Sequence, residues 1–304
     1  MAKSKAGAVM RAALARKLML LGFRSLQVVS ASWASWFAYK LWFYPPRPPK
    51  AKRRTFAPPG TSAGVMHIEG KRVPYWVAGE GRAVLLVHGW SGWGGQMASI
   101  ASALLQAGYR VAWFDAPAHG QAQGWQSNLF EFAACIEQLQ SRVGPFETLI
   151  AHSFGAPSAF YAVSQGLDVA RIVSISAPSS TTPLVEGFCG IIGATQATRE
   201  ALLGRFEAQF GGDVLRRISA AEIAPAICQP VLVIHDKLDD WVSIKDGIAL
   251  RRKLPDVEWL VTEGLGHQRI LRDKSVLQRV LAFMEPAGQG DDCTELPPRL
   301  SRGG

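Results

Sequence analysis

The sequence predicts an α/β protein built on a mostly parallel sheet with helices on both faces. Three observations carry that expectation. From Val65 onward, short continuous apolar runs alternate with longer helical stretches, the pattern of strands buried on both faces and joined by crossover helices. The chain has 304 residues, 48% of them hydrophobic, enough for one large core. No internal repeat is visible.

Strands are expected over Tyr75–Ala78, Ala83–Val87, Arg110–Phe114, Thr148–Ala151, Arg171–Ile175, Val231–Ile234 and Val257–Val261. Helices are expected over Gln96–Gln106, Leu129–Val143, Ala156–Gln165 and Ser243–Leu254, with a last one inside Ile270–Met284. The alternation breaks once. Residues 177–229, which include Pro183–Gly193 and an amphipathic run from Thr198 to Phe210, are too many for a bare connection and predict a small helical cap inserted into a domain spanning 55–285. Residues 286–304 are rich in Gly, Pro, Asp and Arg and predict a disordered tail.

The first 54 residues have a different composition. Lys3, Lys5, Arg11, Arg16 and Lys17 precede an apolar, aromatic-rich stretch from Leu18 to Tyr44, and a proline cluster and Lys50, Lys52, Arg53 and Arg54 follow it. Such a segment seeks a membrane surface. Arg24 and Lys40 leave only Ser25–Tyr39 free of charge, shorter than the about 20 residues that span a bilayer core. Three readings follow: a segment that spans or lies on an anionic membrane, an amphipathic helix packed on the protein's own surface, or a signal peptide. For the last, no small-x-small cleavage site stands in a convincing place after a short apolar core. Membrane association at the cytoplasmic face is the expectation, with a cytoplasmic protein as the alternative. The net charge of +9 gathers in this segment and forms no stripe across the later domain, which argues against nucleic acid as a partner. Cys135, Cys189, Cys228 and Cys293 have no C-x-x-C spacing, so neither a metal site nor a disulfide framework is expected.

The segment with the clearest chemistry is Thr148-Leu149-Ile150-Ala151-His152-Ser153-Phe154-Gly155-Ala156, an apolar strand entering a helix through a small-x-Ser-x-Gly turn. A serine on so sharp a turn needs small neighbours, here Ala151 and Gly155, and is left exposed at the carboxyl end of the sheet. A serine before a helix is also an ordinary N-cap. A second strand, Val84–Val87, ends in His88-Gly89-Trp90. The backbone N–H groups of Trp90 and Phe154 can then face one cavity as an oxyanion hole.

These motifs resemble the α/β-hydrolase superfamily in its serine-hydrolase, esterase- and lipase-like branch, over roughly Val65 to Met284. Asp115-Ala116-Pro117-Ala118-His119-Gly120 resembles that family's D-x-P-G-H-G turn, with Ala118 in place of a glycine. The resemblance implies a triad delivered in the order Ser, Asp, His. His235-Asp236-Lys237-Leu238-Asp239-Asp240-Trp241-Val242 resembles the family's H-G-x-x-D-x-x-V, which aligns the acid with Asp239 in preference to Asp236 or Asp240. Gly264-Leu265-Gly266-His267 supplies the histidine beyond the next strand, and His88 and His119 are expected to organise loops. The implied activity is cleavage of a carboxylic ester or related acyl bond by Ser153, His267 and Asp239 through an acyl-enzyme, with no metal or organic cofactor. An acyltransferase or carbon–carbon bond hydrolase shares that triad, and a catalytically silent binding protein shares the fold. Trp90, Trp93, Phe154, Trp241 and cap residues are the expected lining of an acyl or lipid-like substrate pocket.

Overall fold

The computed structural model describes residues 17–49, 53 and 56–285. The tail 286–304, Cys293 and most of the basic residues flanking the N-terminal apolar stretch lie outside these. Two helices, α1 over 17–29 and α2 over Ala31–Trp42, come first. The strands β1 (Ser62–Ile68), β2 (Lys71–Ala78), β3 (Ala83–Val87), β4 (Arg110–Phe114), β5 (Thr148–His152), β6 (Arg171–Ile175), β7 (Val231–Asp236) and β8 (Val257–Thr262) form one sheet in the order β1-β2-β4-β3-β5-β6-β7-β8. β2 runs antiparallel to both of its neighbours, and β3 to β8 are mutually parallel.

All seven expected strands are present, and β1 is an addition. Its residues pair with β2 across Glu69-Gly70, both at positive φ (47° and 77°), the requirement of a tight two-residue hairpin turn. The sequence signal was an acidic residue followed by glycine between two alternating runs. β2 also begins four residues earlier than expected. Pro74 interrupts the strand pattern, yet it sits opposite Val65 in the edge hairpin, where proline is tolerated.

Between the strands lie α3 (Ala98–Gln106), α4 (Leu129–Val143), α5 (Gly155–Ser164), α6 (Thr182–Ile192), α7 (Gln196–Phe210), α8 (Val214–Arg217), α9 (Ala220–Ile223), α10 (Ile244–Lys253), α11 (Gly266–Arg269) and α12 (Lys274–Met284). Alternate residues of each strand face opposite layers. Leu85 and Val87 pack with Phe132 and Ile136 of α4, Phe160 of α5 and Leu250 of α10. Val84 and Leu86 pack on the other side with Ile100 and Leu104 of α3 and Val276 and Val280 of α12. The sheet is thus covered on both faces, and its carboxyl edge is left for loops. Cys135, Cys189 and Cys228 are free thiols.

A third apolar cluster lies apart from the sheet. Phe23 of α1, Ala34 and Ala38 of α2, Val185 and Ile192 of α6, Leu202 and Phe206 of α7, and Val214 of α8 form it. Ser30 breaks the apolar N-terminal stretch in two: it is extended (φ −161°, ψ 114°) and its side chain caps α2 by accepting from the Trp33 N–H. Polar contacts tie the same segment down. Arg205 donates to Ser35 Oγ and to the Ser32 carbonyl, both at 2.9 Å, and the Arg47 guanidinium donates to the carbonyls of Ala118, Ala122 and Gly124. Residues 17–49 therefore pack as part of the folded body, the surface-helix reading of this segment. Among the described residues no helix is long and apolar enough to cross a membrane.

Candidate active site

Ser153 stands between β5 and α5 with φ 52°, a left-handed conformation that a non-glycine residue keeps only where its surroundings enforce it. The enforcement is steric. A Cβ on Gly155 would lie 2.6 Å from the His88 carbonyl oxygen and 2.7 Å from that of Val87, and one on Gly89 would lie 2.9 Å from Ser153 Cβ. Helix α5 thus rests directly on the end of β3, and only glycine fits there. Ala151, two residues before Ser153, is buried and pairs with Val87, where a methyl group is accommodated.

The carboxyl ends of β7 and β8 bring two more groups to Ser153. His267 lies on the short helix α11 after two left-handed glycines, Gly264 (φ 86°) and Gly266 (φ 63°). Its Nε2 is 3.0 Å from Ser153 Oγ and its Nδ1 is 2.8 Å from Asp239 Oδ2. The other carboxylate oxygen, Asp239 Oδ1, accepts the N–H groups of Trp241 and Val242, both at 2.9 Å. Burial pushes the Asp239 pKa upward, but the His267 hydrogen bond and these two amides outweigh it and hold the group at about 2. The indole of Trp241, 67% exposed, lies parallel to the His267 ring with centroids 5.4 Å apart.

Of the competing carboxylates, Asp240 is exposed. Asp236 is buried and accepts from the Leu238 N–H (2.9 Å), the Thr262 hydroxyl (2.7 Å) and the Leu265 N–H (3.0 Å). It thereby buckles the loop that carries Asp239 to the loop that carries His267. Its burial raises its pKa, and these donors together with the Gly266 amide more than compensate, so it too stays ionised.

The remaining histidines near the site are engaged in architecture. His88 Nδ1 donates to the Gly89 carbonyl (2.8 Å) and Nε2 accepts the Ala116 N–H (3.0 Å), which fixes its tautomer. Burial lowers its pKa to about 4. His119 Nδ1 lies 2.8 Å from the Pro117 carbonyl. His152 Nε2 donates to the backbone carbonyl of His267 (3.0 Å), and burial lowers its pKa to about 3, so a neutral ring braces α11. Ala118, the departure from glycine, adopts φ 62°. Its strained carbonyl is one of those held by Arg47.

The Trp90 and Phe154 rings meet edge to face at 5.0 Å, so the two segments converge. No acceptor among the described residues takes the N–H of either. Above Ser153 opens a cavity of about 810 Å³. Trp90, Phe154 and Trp241 line it as expected, whereas Trp93 does not. The sequence reading missed one wall: Leu41, Trp42, Phe43, Tyr44 and Pro46, from the end of α2 and beyond. The signal was the density of aromatic residues there, which suits a membrane surface and a pocket wall equally. Helices α6 and α7 continue that wall, with Phe188 and Phe206 in ring contact with Trp42. Among the described residues no group of three or more His, Cys, Asp or Glu is arranged to hold a metal ion.

A family model described as the alpha/beta hydrolase fold matches residues 82–189. That stretch contains Ser153, Trp90 and Phe154 and ends before Asp239 and His267. Among solved structures, an esterase from Pyrococcus furiosus is 19% identical, with a TM-score of 0.60 over 79% of this chain and 96% of that one. A bromoperoxidase from Bacillus anthracis is 17% identical, with a TM-score of 0.57 over 73% of this chain and 99% of that one. An esterase from Exiguobacterium antarcticum is 15% identical, with a TM-score of 0.57 over 72% and 97%. A search of curated proteins by sequence returned no match. The chain has the α/β-hydrolase fold.

Proposed function

We propose that the protein is a serine hydrolase that cleaves a carboxylic ester or related acyl bond at Ser153. The observation that carries this reading is the hydrogen-bonded series from Ser153 Oγ through His267 to Asp239, 3.0 and 2.8 Å long, at a strained strand-to-helix turn. His267 Nε2 takes the hydroxyl proton as Oγ bonds to the ester carbonyl carbon. The ionised Asp239 holds the proton on Nδ1 and stabilises the imidazolium. The backbone N–H groups of Trp90 and Phe154 receive the developing oxyanion, each such donor contributing about 3–4 kcal/mol in comparable sites. The tetrahedral intermediate expels the alkoxide, which takes the proton from Nε2 and leaves as the alcohol. Water, deprotonated by His267, then attacks the acyl-serine. The carboxylic acid departs as Ser153 regains its proton. These steps call for no metal or organic cofactor.

The aromatic walls suit the apolar part of an acyl ester, and the esterases among the structural neighbours are consistent with that substrate class. A fluorophosphonate probe tests the reading directly. It should label the wild type at Ser153 and leave Ser153→Ala unlabelled. A folded wild type that neither reacts with the probe nor turns over p-nitrophenyl butyrate sinks the proposal.

A further inference from the structure

The chain's charge is divided sharply along its length. The first acidic residue is Glu69, and twelve of the 33 Lys and Arg residues precede it, which leaves 21 basic against 24 acidic residues in all that follows. The positive surplus of the protein thus belongs to its N-terminal segment. Helix α2 of that segment has two faces. Ala34, Ser35 and Ala38 are buried against the α6–α7 layer. Trp33, Trp36, Phe37 and Lys40, spaced i, i+3, i+4 and i+7, lie on the other face, with Trp33 65% and Trp36 44% exposed. Lys40 Nζ sits 5.9 Å over the Trp36 ring. Two residues past the end of α2, Tyr44 is 42% exposed and is itself a lining residue of the cavity above Ser153. Ile191 of α6, 64% exposed, and Trp241 complete an apolar rim to that cavity.

We infer that the outer face of α2 and the cavity rim form one surface that seats on an anionic lipid bilayer, from which a lipid ester passes through the rim to Ser153. The second half rests on the hydrolase reading above. Indole and phenol rings prefer the headgroup layer, and lysine beside them reaches anionic phosphates. A second copy of this chain is the poorer occupant. A two-fold contact would set the Lys40 of each copy near its twin, with no acidic residue in the stripe to pair with it. The bilayer supplies the opposite charge, an apolar interior and the substrate in one place.

The test uses the full chain, with phosphatidylcholine vesicles alone or mixed with phosphatidylglycerol, and the double variant Trp33→Gln/Trp36→Gln, whose substituted side chains do not line the cavity. The wild type should sediment with the mixed vesicles, and the double variant about tenfold less. Hydrolysis of a long-chain ester embedded in those vesicles should fall by the same factor, with p-nitrophenyl butyrate turnover unchanged. The inference is overturned if the wild type ignores both vesicle types, or if the double variant binds as the wild type does. A dimer in gel filtration that the double substitution dissociates, without vesicle binding, overturns it in favour of a second copy. Vesicle binding lost in the double variant while the wild type hydrolyses no ester upholds the seat and overturns the hydrolase reading instead.

Discussion

The floor and the roof of the cavity are built by opposite means. The floor is backbone: strand ends, the left-handed Ser153, glycines packed against carbonyl oxygens, and carboxylates clamped by amides. The roof is side chain: Trp42 edge to face with Phe188 at 5.2 Å, Tyr39 near Phe206 at 5.7 Å, and helices from three separated parts of the sequence. A floor of this kind tolerates few alternatives, because a methyl group in the wrong place displaces a reacting atom. The roof needs only bulk and apolarity, so its composition restricts the chemistry much less. Substitutions in the two regions should therefore fail differently, the floor by losing turnover and the roof by losing stability or substrate range.

The most severe break is expected at the proposed nucleophile and base. Ser153→Ala or His267→Ala should reduce ester turnover by about 10⁶-fold, as for other enzymes of this chemistry, with circular dichroism and melting temperature close to wild type. Retained turnover in a pure His267→Ala protein would move the base to another histidine. Next comes the acid. Asp239→Asn should cost about 10⁴-fold in kcat, and Asp240→Asn, at an exposed position, should cost almost nothing. Asp236→Asn separates the two kinds of loss. It weakens the buckle between the β7 and β8 loops and should lower stability by about 1–3 kcal/mol, so thermal melting read beside kcat distinguishes it from the acid itself.

The roof is tested by removing part of it. A chain beginning at residue 54 lacks Phe23, Ala34 and Ala38, uncovers the apolar faces of α6 and α7, and should aggregate or melt early in solution. The composition of the segment pointed toward a membrane surface; its packing predicts that the fold depends on it. A soluble, active truncated protein would show that α1 and α2 only decorate the surface. The smallest expected effect is on acid stability. Asp239 is held at about 2, below its unfolded value of about 3.9. Its contribution is fully present above the unfolded pKa and disappears as pH falls from about 4 through about 2. Over that window Asp239→Asn should lose less stability than the wild type in acid titrations followed by fluorescence.

The same contrast explains what could be read in advance. Floor residues announce themselves because geometry restricts their identity: a small-x-Ser-x-Gly turn, a His-Gly after a strand, a glycine-flanked histidine. The family resemblance aligned Asp239 rather than Asp236 with the acid, and Asp239 is the carboxylate that lies against His267. The different work of Asp236 was not legible, because a carboxylate in a loop looks alike whether it faces a histidine or three donors. In the roof, the aromatic run from Trp33 to Tyr44 was visible, but which ring would point inward depends on α7, far along the chain. Helical phase alone separates Ala34 and Ala38 from Trp33 and Trp36; it does not say what covers them.

That distance along the chain has a consequence for synthesis. Ser35 and Arg205, which hold α2 to α7, are 170 positions apart, so at about 5–20 residues per second the ribosome needs on the order of ten seconds to make the partner of a helix it has already released. Throughout that interval the inner face of α2 has α1 and the chain already made to lie against, but not α7. The roof of the cavity thus stays open until α7 has been made, and the wall that α2 contributes is fixed only after that.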